Sequence, residues 1–286
     1  MDAKAFCPGH ITGFFEICDS EDVLSKGSRG AGLCISLGAT SVVKLNDSDR
    51  QEVSVVIDGK ESKAEVTTEA VKYILGSSRF KVEVSTTLDL PQSQGFGMSA
   101  AGSLSSALAL THVLGQDRQR AFEAAHIAEI RWKCGLGDIS AIHGGGITIR
   151  KKPGLPPRGE VLRIDGAPTV VLAVIGGRLL TRDVLLDANK RRAINASGSG
   201  KVDALIRSPT LERLMILSAE FATETGLAPE EILEAMKRAS RVGMASMSML
   251  GNSVFAIGDV SGLETVLKGF GRTWTCKVDT EGPRIL

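Results

Sequence analysis

The chain has 286 residues and 30.2 kDa, with 43% hydrophobic and 23% charged residues, which excludes a largely disordered polypeptide and allows sizeable cores without disulfide or zinc staples. Thirty-four Lys and Arg against 33 Asp and Glu leave a net charge of +1 with neither half strongly basic, so no nucleic-acid partner is expected. Apolar runs such as Val170–Ile175 are far short of a membrane span, and Met1-Asp2-Ala3-Lys4 does not open a signal peptide, so a cytoplasmic protein with no membrane partner is expected.

In chain order, Ala3–Cys7 reads as a first strand, followed by the glycine-containing stretch Pro8–Gly13. Gly27-Ser28-Arg29-Gly30-Ala31-Gly32 precedes alternating patterns at Leu33–Leu37, Ser41–Leu45 and Glu52–Ile57, which predict strands. A helix is expected at Val66–Leu75, a strand at Phe80–Leu88, a loop at Pro91–Gly97, and helices at Ser99–Leu114 and Arg118–Cys134. A short helical stretch follows Asp138, then Gly144-Gly145-Gly146 and a strand at Ile147–Arg150. Lys151–Gly159, with three prolines and two glycines, is the expected junction between domains 1–158 and 159–286. Beyond it come a strand at Val170–Ile175 and helices at Arg182–Ile194, Leu211–Thr225 and Pro229–Ser240. Strands at Val254–Ile257 and Thr273–Val278 flank a helix at Gly262–Phe270. Strands and helices mixed in both halves predict an α+β protein.

Five cysteines without CxxC spacing argue against zinc and for a reducing compartment. Glycine is in excess, 32 residues, about one in nine, and the glycines cluster. The most informative cluster is Leu90-Pro91-Gln92-Ser93-Gln94-Gly95-Phe96-Gly97-Met98-Ser99-Ala100-Ala101: a strand, a loop and a helix start. The first amides of a helix lack internal partners and carry the positive end of its dipole, so they suit phosphate. Ser99 either caps this helix or ligates a phosphate-bound Mg²⁺. No GxxxxGK[ST] is present, which excludes a P-loop. Gly95–Ala100 also matches the GxGxxA dinucleotide fingerprint, but Asp117, in the position expected for its acidic residue, lies between two helices, so a nicotinamide-dependent oxidoreductase is the weaker alternative. A second constellation sets His126 and Glu129 on one helix face, with Asp138 nine residues after Glu129 in a glycine-rich turn. Phosphoryl transfer calls for such parts: a hard oxygen ligand for Mg²⁺ and a carboxylate for the attacking hydroxyl.

Pro91-x-x-x-Gly95-x-Gly97-x-Ser99-Ala100-Ala101 resembles the phosphate-binding motif of the GHMP kinases. Phe6-Cys7-Pro8-Gly9-His10-Ile11-Thr12-Gly13-Phe14-Phe15, Gly27–Gly32 and Ser246–Asn252 resemble, within that superfamily, the archaeal pantoate kinases, and the likeness spans nearly the whole chain. The resemblance implies ATP- and Mg²⁺-dependent phosphorylation of the 4-hydroxyl of (R)-pantoate in coenzyme A biosynthesis, by a homodimer. A sibling kinase for another small hydroxy acid or alcohol, of homoserine or mevalonate type, is the nearest alternative. The implied fold has an N-terminal domain of the ribosomal protein S5 domain 2-like type and a ferredoxin-like C-terminal domain. By residue, the likeness puts Pro91, Gly95, Gly97, Met98, Ser99, Ala100 and Ala101 at the nucleotide, Ser99 and Glu129 at Mg²⁺, and Asp138 at the reacting hydroxyl. For the substrate carboxylate Arg150 is preferred over Arg29, since a planar guanidinium gives two parallel hydrogen bonds. Ser28, His126 and His10 are further candidates for the substrate. Two departures stand out. Met247–Ser253 holds one glycine where the third motif is usually glycine-rich, and His10 stands near the place of the basic residue of mevalonate kinases.

Overall fold

The computed structural model describes residues 1–286 and contains two β-sheets with nine helices. Two long strands dominate the first sheet, β1 (Asp2–Cys18, 17 residues) and β2 (Gly27–Asp47, 21 residues), paired antiparallel almost throughout. The sequence suggested shorter strands broken at the glycines. Those glycines instead lie inside the strands, where they admit neighbouring backbone and side chains rather than turning the chain. β2 is long enough to pair a third and a fourth strand as well. Its far half holds β5 (Phe80–Leu88), and its near half holds β6 (Ile147–Lys152) through Gly30↔Arg150 and Gly32↔Thr148. β3 (Glu52–Ile57) and β4 (Lys60–Glu61) extend the β5 side. At the other edge β12 (Arg284–Ile285) returns to pair with β1.

The stretch 151–159 turns the chain from β6 into β7 (Glu160–Ile164), its antiparallel partner, so the first sheet continues past the expected junction as far as Ile164. The second sheet starts at β8 (Thr169–Val174) and runs in the order β11 (Arg272–Lys277), β8, β10 (Ser253–Gly258), β9 (Gly243–Met247), all antiparallel. With helices between β8 and β9 and between β10 and β11, this is the 4-1-3-2 order of a ferredoxin-like unit.

Three helices, α1 (Glu65–Leu75), α2 (Met98–Val113) and α3 (Arg118–Trp132), pack together against the first sheet. α2 is buried nearly all round, which its Ala- and Ser-rich sequence permits. Its hydroxyls are satisfied: Ser41 Oγ meets Thr86 Oγ1 at 2.8 Å and Ser105 Oγ at 2.7 Å. The dinucleotide alternative fails on topology. α2 leads into another helix, and Asp117 caps α3 by accepting from Gln119 N rather than ending a strand.

The segment expected as one helix from Arg182 to Ile194 is two. α5 (Thr181–Leu186) stops before Asp187, whose carboxylate accepts from Asn189 N and Lys190 N and so starts α6 (Ala188–Arg207). α6 lies on β1, with Asn195 bonded to both backbone groups of Ile17. α7 (Leu211–Glu224) packs Phe221 against Phe14 and Phe15, at 6.5 and 5.8 Å between ring centroids. α8 (Glu230–Ala239) and α9 (Val260–Lys268) cover the second sheet.

Candidate active site

A cavity of about 480 Å³ opens where the first turns of α2, the end of α3, β2 and the segment after β8 converge. One wall is the loop Gln92–Gly97. Gly95 and Gly97 hold φ of 75° and 67°, and a Cβ on Gly95 would stand 2.7 Å from the Ser248 carbonyl, one on Gly97 2.9 Å from that of His10. Glycine therefore lets the loop nest between β1 and the loop after β9, in addition to clearing the approach of a ligand. The nest is held by His10 N donating to Phe96 O at 3.1 Å and Ser253 Oγ donating to Gln94 O at 2.6 Å. The glycine-poor third motif thus backs the loop Gln92–Gly97, and its Met249 and Leu250 also line the cavity. Gly97 gives α2 no side-chain cap, and Ala101 N is the first to bond back, to Gly97 O. The α2 amides ahead of Ala101 have no intrahelical acceptor and suit an anion.

Across the cavity Ser99 Oγ donates to Glu129 Oε1 at 2.5 Å, joining α2 to α3. Glu129 is buried, and burial pushes its carboxyl up to about 8 against the opposing hydrogen bond from Ser99. Asp138 opens the short helix α4 (Asp138–Ile142) and accepts from His10 Nδ1 at 2.8 Å. Burial works to raise the Asp138 pKa, but the His10 hydrogen bond and the nearby charge of Arg150 outweigh it, so the carboxylate sits below its ordinary value. Burial holds His10 neutral.

Arg150 is only 1% exposed, and its Nε and Nη1 have no partner. β6 pairs it with Gly30, and a Cβ there would lie 2.7 Å from Nη2. A Cβ on Gly137 would lie 2.5 Å from Nε and 2.3 Å from Ser28 Oγ. Glycines at 30 and 137 therefore make the slot in which a guanidinium and a hydroxyl face the cavity together.

The structure brings Gly95, Gly97, Met98, Ser99, Glu129, Asp138, Ser28 and Arg150 to one cavity, with His10 behind Asp138. Ala100 and Ala101 lie in the first turn of α2 but are fully buried, and Pro91 is exposed ahead of the loop. Three expected substrate contacts are corrected. His10 is buried and turned onto Asp138 rather than lining the cavity. Arg29 is spent elsewhere, on Glu16, Asp203 and Lys151 O. His126 Nε2 donates to Val23 O at 3.1 Å and pins the turn between β1 and β2, outside the cavity. Leu180, Thr181 and Arg182 line the cavity and escaped the sequence reading, because nothing in a lone Thr-Arg at a helix start marks it.

Residues 64–146 match the family described as GHMP kinases N terminal domain. Pantoate kinase of Thermococcus kodakarensis is 37% identical over 264 residues, 90% of this chain and 88% of that protein. Pantoate kinase of Methanocaldococcus jannaschii is 32% identical over 274 residues, 96% and 99% of the two chains. A solved structure titled "Phosphotransferase related to CoA biosynthesis pathway" superposes with a TM-score of 0.91 at 33% identity, covering 100% of this chain and 99% of that one. A homoserine kinase from Cytophaga hutchinsonii, at 16% identity and a TM-score of 0.70 with 100% and 97% coverage, shares the fold.

Proposed function

The chain belongs to the pantoate kinases of the GHMP kinase superfamily, and on that premise we propose that it moves the γ-phosphoryl group of ATP to the 4-hydroxyl of (R)-pantoate in coenzyme A biosynthesis. The observation that carries this reading is Arg150: a buried guanidinium with two unpartnered donor atoms, beside Ser28 and an ionised Asp138. A buried charge without a partner is costly, and a small hydroxy acid supplies the missing carboxylate.

Arg150 and Ser28 orient pantoate by its carboxylate end, which leaves a hydroxyl to face Asp138. His10 occupies one Asp138 oxygen and leaves the other to take the hydroxyl proton. The substrate oxygen attacks the γ-phosphorus, the bond to the β-phosphate oxygen breaks, and ADP leaves. The free amides of α2 hold the phosphates in the direction this displacement needs. Ser99 and Glu129 offer two hard oxygens at one point, and no group of three or more His, Cys, Asp or Glu side chains gathers anywhere to hold a metal alone. The donor set therefore fits a Mg²⁺ shared with phosphate oxygens, which when bound neutralises charge on the transferring group.

All five cysteines are free, which supports the cytoplasmic placement we propose, and no helix is long and apolar enough to cross a membrane. The proposed homodimer rests on the resemblance alone. The test is ADP release with pantoate, pantothenate, homoserine and mevalonate in turn, the product located by phosphorus NMR. Pantoate-dependent release with phosphate on the 4-oxygen is expected. Turnover of homoserine or mevalonate in its place would hand the site to a sibling kinase.

A further inference from the structure

We propose that Arg182 is the side chain that grips the polyphosphate of the nucleotide, an inference that rests on the kinase reading of the same cavity. Five acidic or basic side chains line that cavity: Glu65, Glu129, Asp138, Arg150 and Arg182. Acids outnumber bases, although the nucleotide it must hold is a polyanion. Arg150 is buried beside Ser28 and Asp138, where the substrate carboxylate takes it. Arg182 is the cation left over. It is exposed and enters no ion pair, unlike Arg29 and Arg191, which are matched to carboxylates.

Its place is fixed by the strap that carries it. Leu179 N donates to Ser93 O at 3.1 Å, two residues before Gly95, and Asn252 Nδ2 donates to Gly177 O at 2.8 Å. Gly176–Leu180 is thereby tied to the phosphate loop on one side and to the third motif on the other. Arg182 follows two residues after Leu180 and lines the same cavity as Glu65, Glu129 and Cys134. A guanidinium carried into the cavity just past a tied strap can pair two phosphate oxygens at once. This supplies, from the second half of the chain, a cation for the polyphosphate that the loop Gln92–Gly97 and the start of α2 do not carry.

Binding measured by calorimetry without pantoate separates this role from the choice of acceptor. The full chain and its Arg182→Ala, Arg182→Lys and Arg178→Ala variants are titrated with ATP·Mg²⁺, ADP·Mg²⁺ and adenosine. Arg178 is exposed on the same strap and does not line the cavity, so it serves as the control. Arg182→Ala is expected to weaken ATP and ADP by about 10- to 100-fold and leave adenosine unchanged, the loss of hydrogen bonds to a charged group. Arg182→Lys should recover part of it, and Arg178→Ala should match wild type. ATP affinity unchanged in Arg182→Ala would overturn the proposal, as would equal losses for ATP and adenosine. Failure of pantoate as acceptor would leave these results intact and overturn the functional reading instead.

Discussion

His10 and Asp138 stand 128 positions apart in the chain and meet at 2.8 Å, Nδ1 to Oδ1. Burial keeps the imidazole neutral, so its Nδ1 carries the proton it donates, and Nε2, buried beside Gly32, has no partner. The pair performs by a hydrogen bond what a cation would do by charge: it fixes one Asp138 oxygen and keeps the carboxylate ionised.

Asp138→Asn should lose most of kcat while ATP binding stays close to wild type, because the amide keeps the shape and loses the proton acceptor. His10→Ala should cost about tenfold in kcat. His10→Asn, whose amide nitrogen can replace Nδ1 as donor, should recover more of it than His10→Gln. The sign of the pH effect follows from the depressed Asp138 pKa. At saturating Mg²⁺ the wild-type kcat should hold as pH falls until that low value is reached, whereas in His10→Ala the acid limb should move upward. Steady-state kcat across pH in the three His10 variants checks both statements.

Glu129 carries the opposite shift. With its carboxyl pushed up to about 8, the metal-free protein holds it protonated at neutral pH, and a cation must displace that proton. The Mg²⁺ concentration for half-maximal activity should therefore fall as pH rises, about tenfold per unit below 8, and then level off. Glu129→Gln should need more Mg²⁺ at every pH and lose this slope, and Ser99→Ala should cut turnover strongly. A Mg²⁺ titration at several pH values reads all three.

Gly137→Ala tests the slot around the guanidinium. The added methyl would stand 2.5 Å from Arg150 Nε and 2.3 Å from Ser28 Oγ, so both buried side chains must shift. Overpacking this slot should lower Tm by a few degrees, with the fold retained. Displacing both groups by a fraction of an ångström should lower kcat/KM for pantoate by up to about a hundredfold. The KM for ATP should stay near wild type. A thermal melt with kinetics for both substrates makes the comparison.

Much of this site was legible in the sequence, and the reason is local. A glycine loop opening a small-residue helix announces Ser99, and the spacing of Glu129 and Asp138 around a glycine turn announces acid chemistry. What was not legible depends on long-range pairing. The 17- and 21-residue strands hide behind their own glycines, which read as turns but serve as clearance. His126 looked like a ligand because it shares a helix with Glu129, yet its partner is a carbonyl more than 100 positions earlier, at Val23. Arg29 and Arg150 face one another's neighbourhood across β2 and β6, but alternation sends Arg29 to Glu16 and Asp203 and Arg150 into the cavity. A one-dimensional pattern gives no sheet register, and register decides between them.

Arg150 should also weigh on stability. In the ligand-free protein its charge is buried with Nε and Nη1 unpaired, so Arg150→Met should raise stability by about 1 kcal/mol or more, with a Tm a few degrees higher. The same variant should use no pantoate, the pattern of a site that gives up stability for function. Thermal melts with and without pantoate show whether only the wild type is stabilised by the ligand.

The most direct measurement is the pair of KM values, for pantoate and for ATP, in Arg150→Ala. Removing one partner of a buried charge pair costs about 2–5 kcal/mol, so the KM for pantoate should rise by about 30-fold or more while that for ATP stays near wild type. Arg150→Lys should restore part of it, because the fork geometry is lost. An unchanged pantoate KM in Arg150→Ala, or a rise confined to ATP, would contradict the assignment of this cavity to a small hydroxy acid held by its carboxylate.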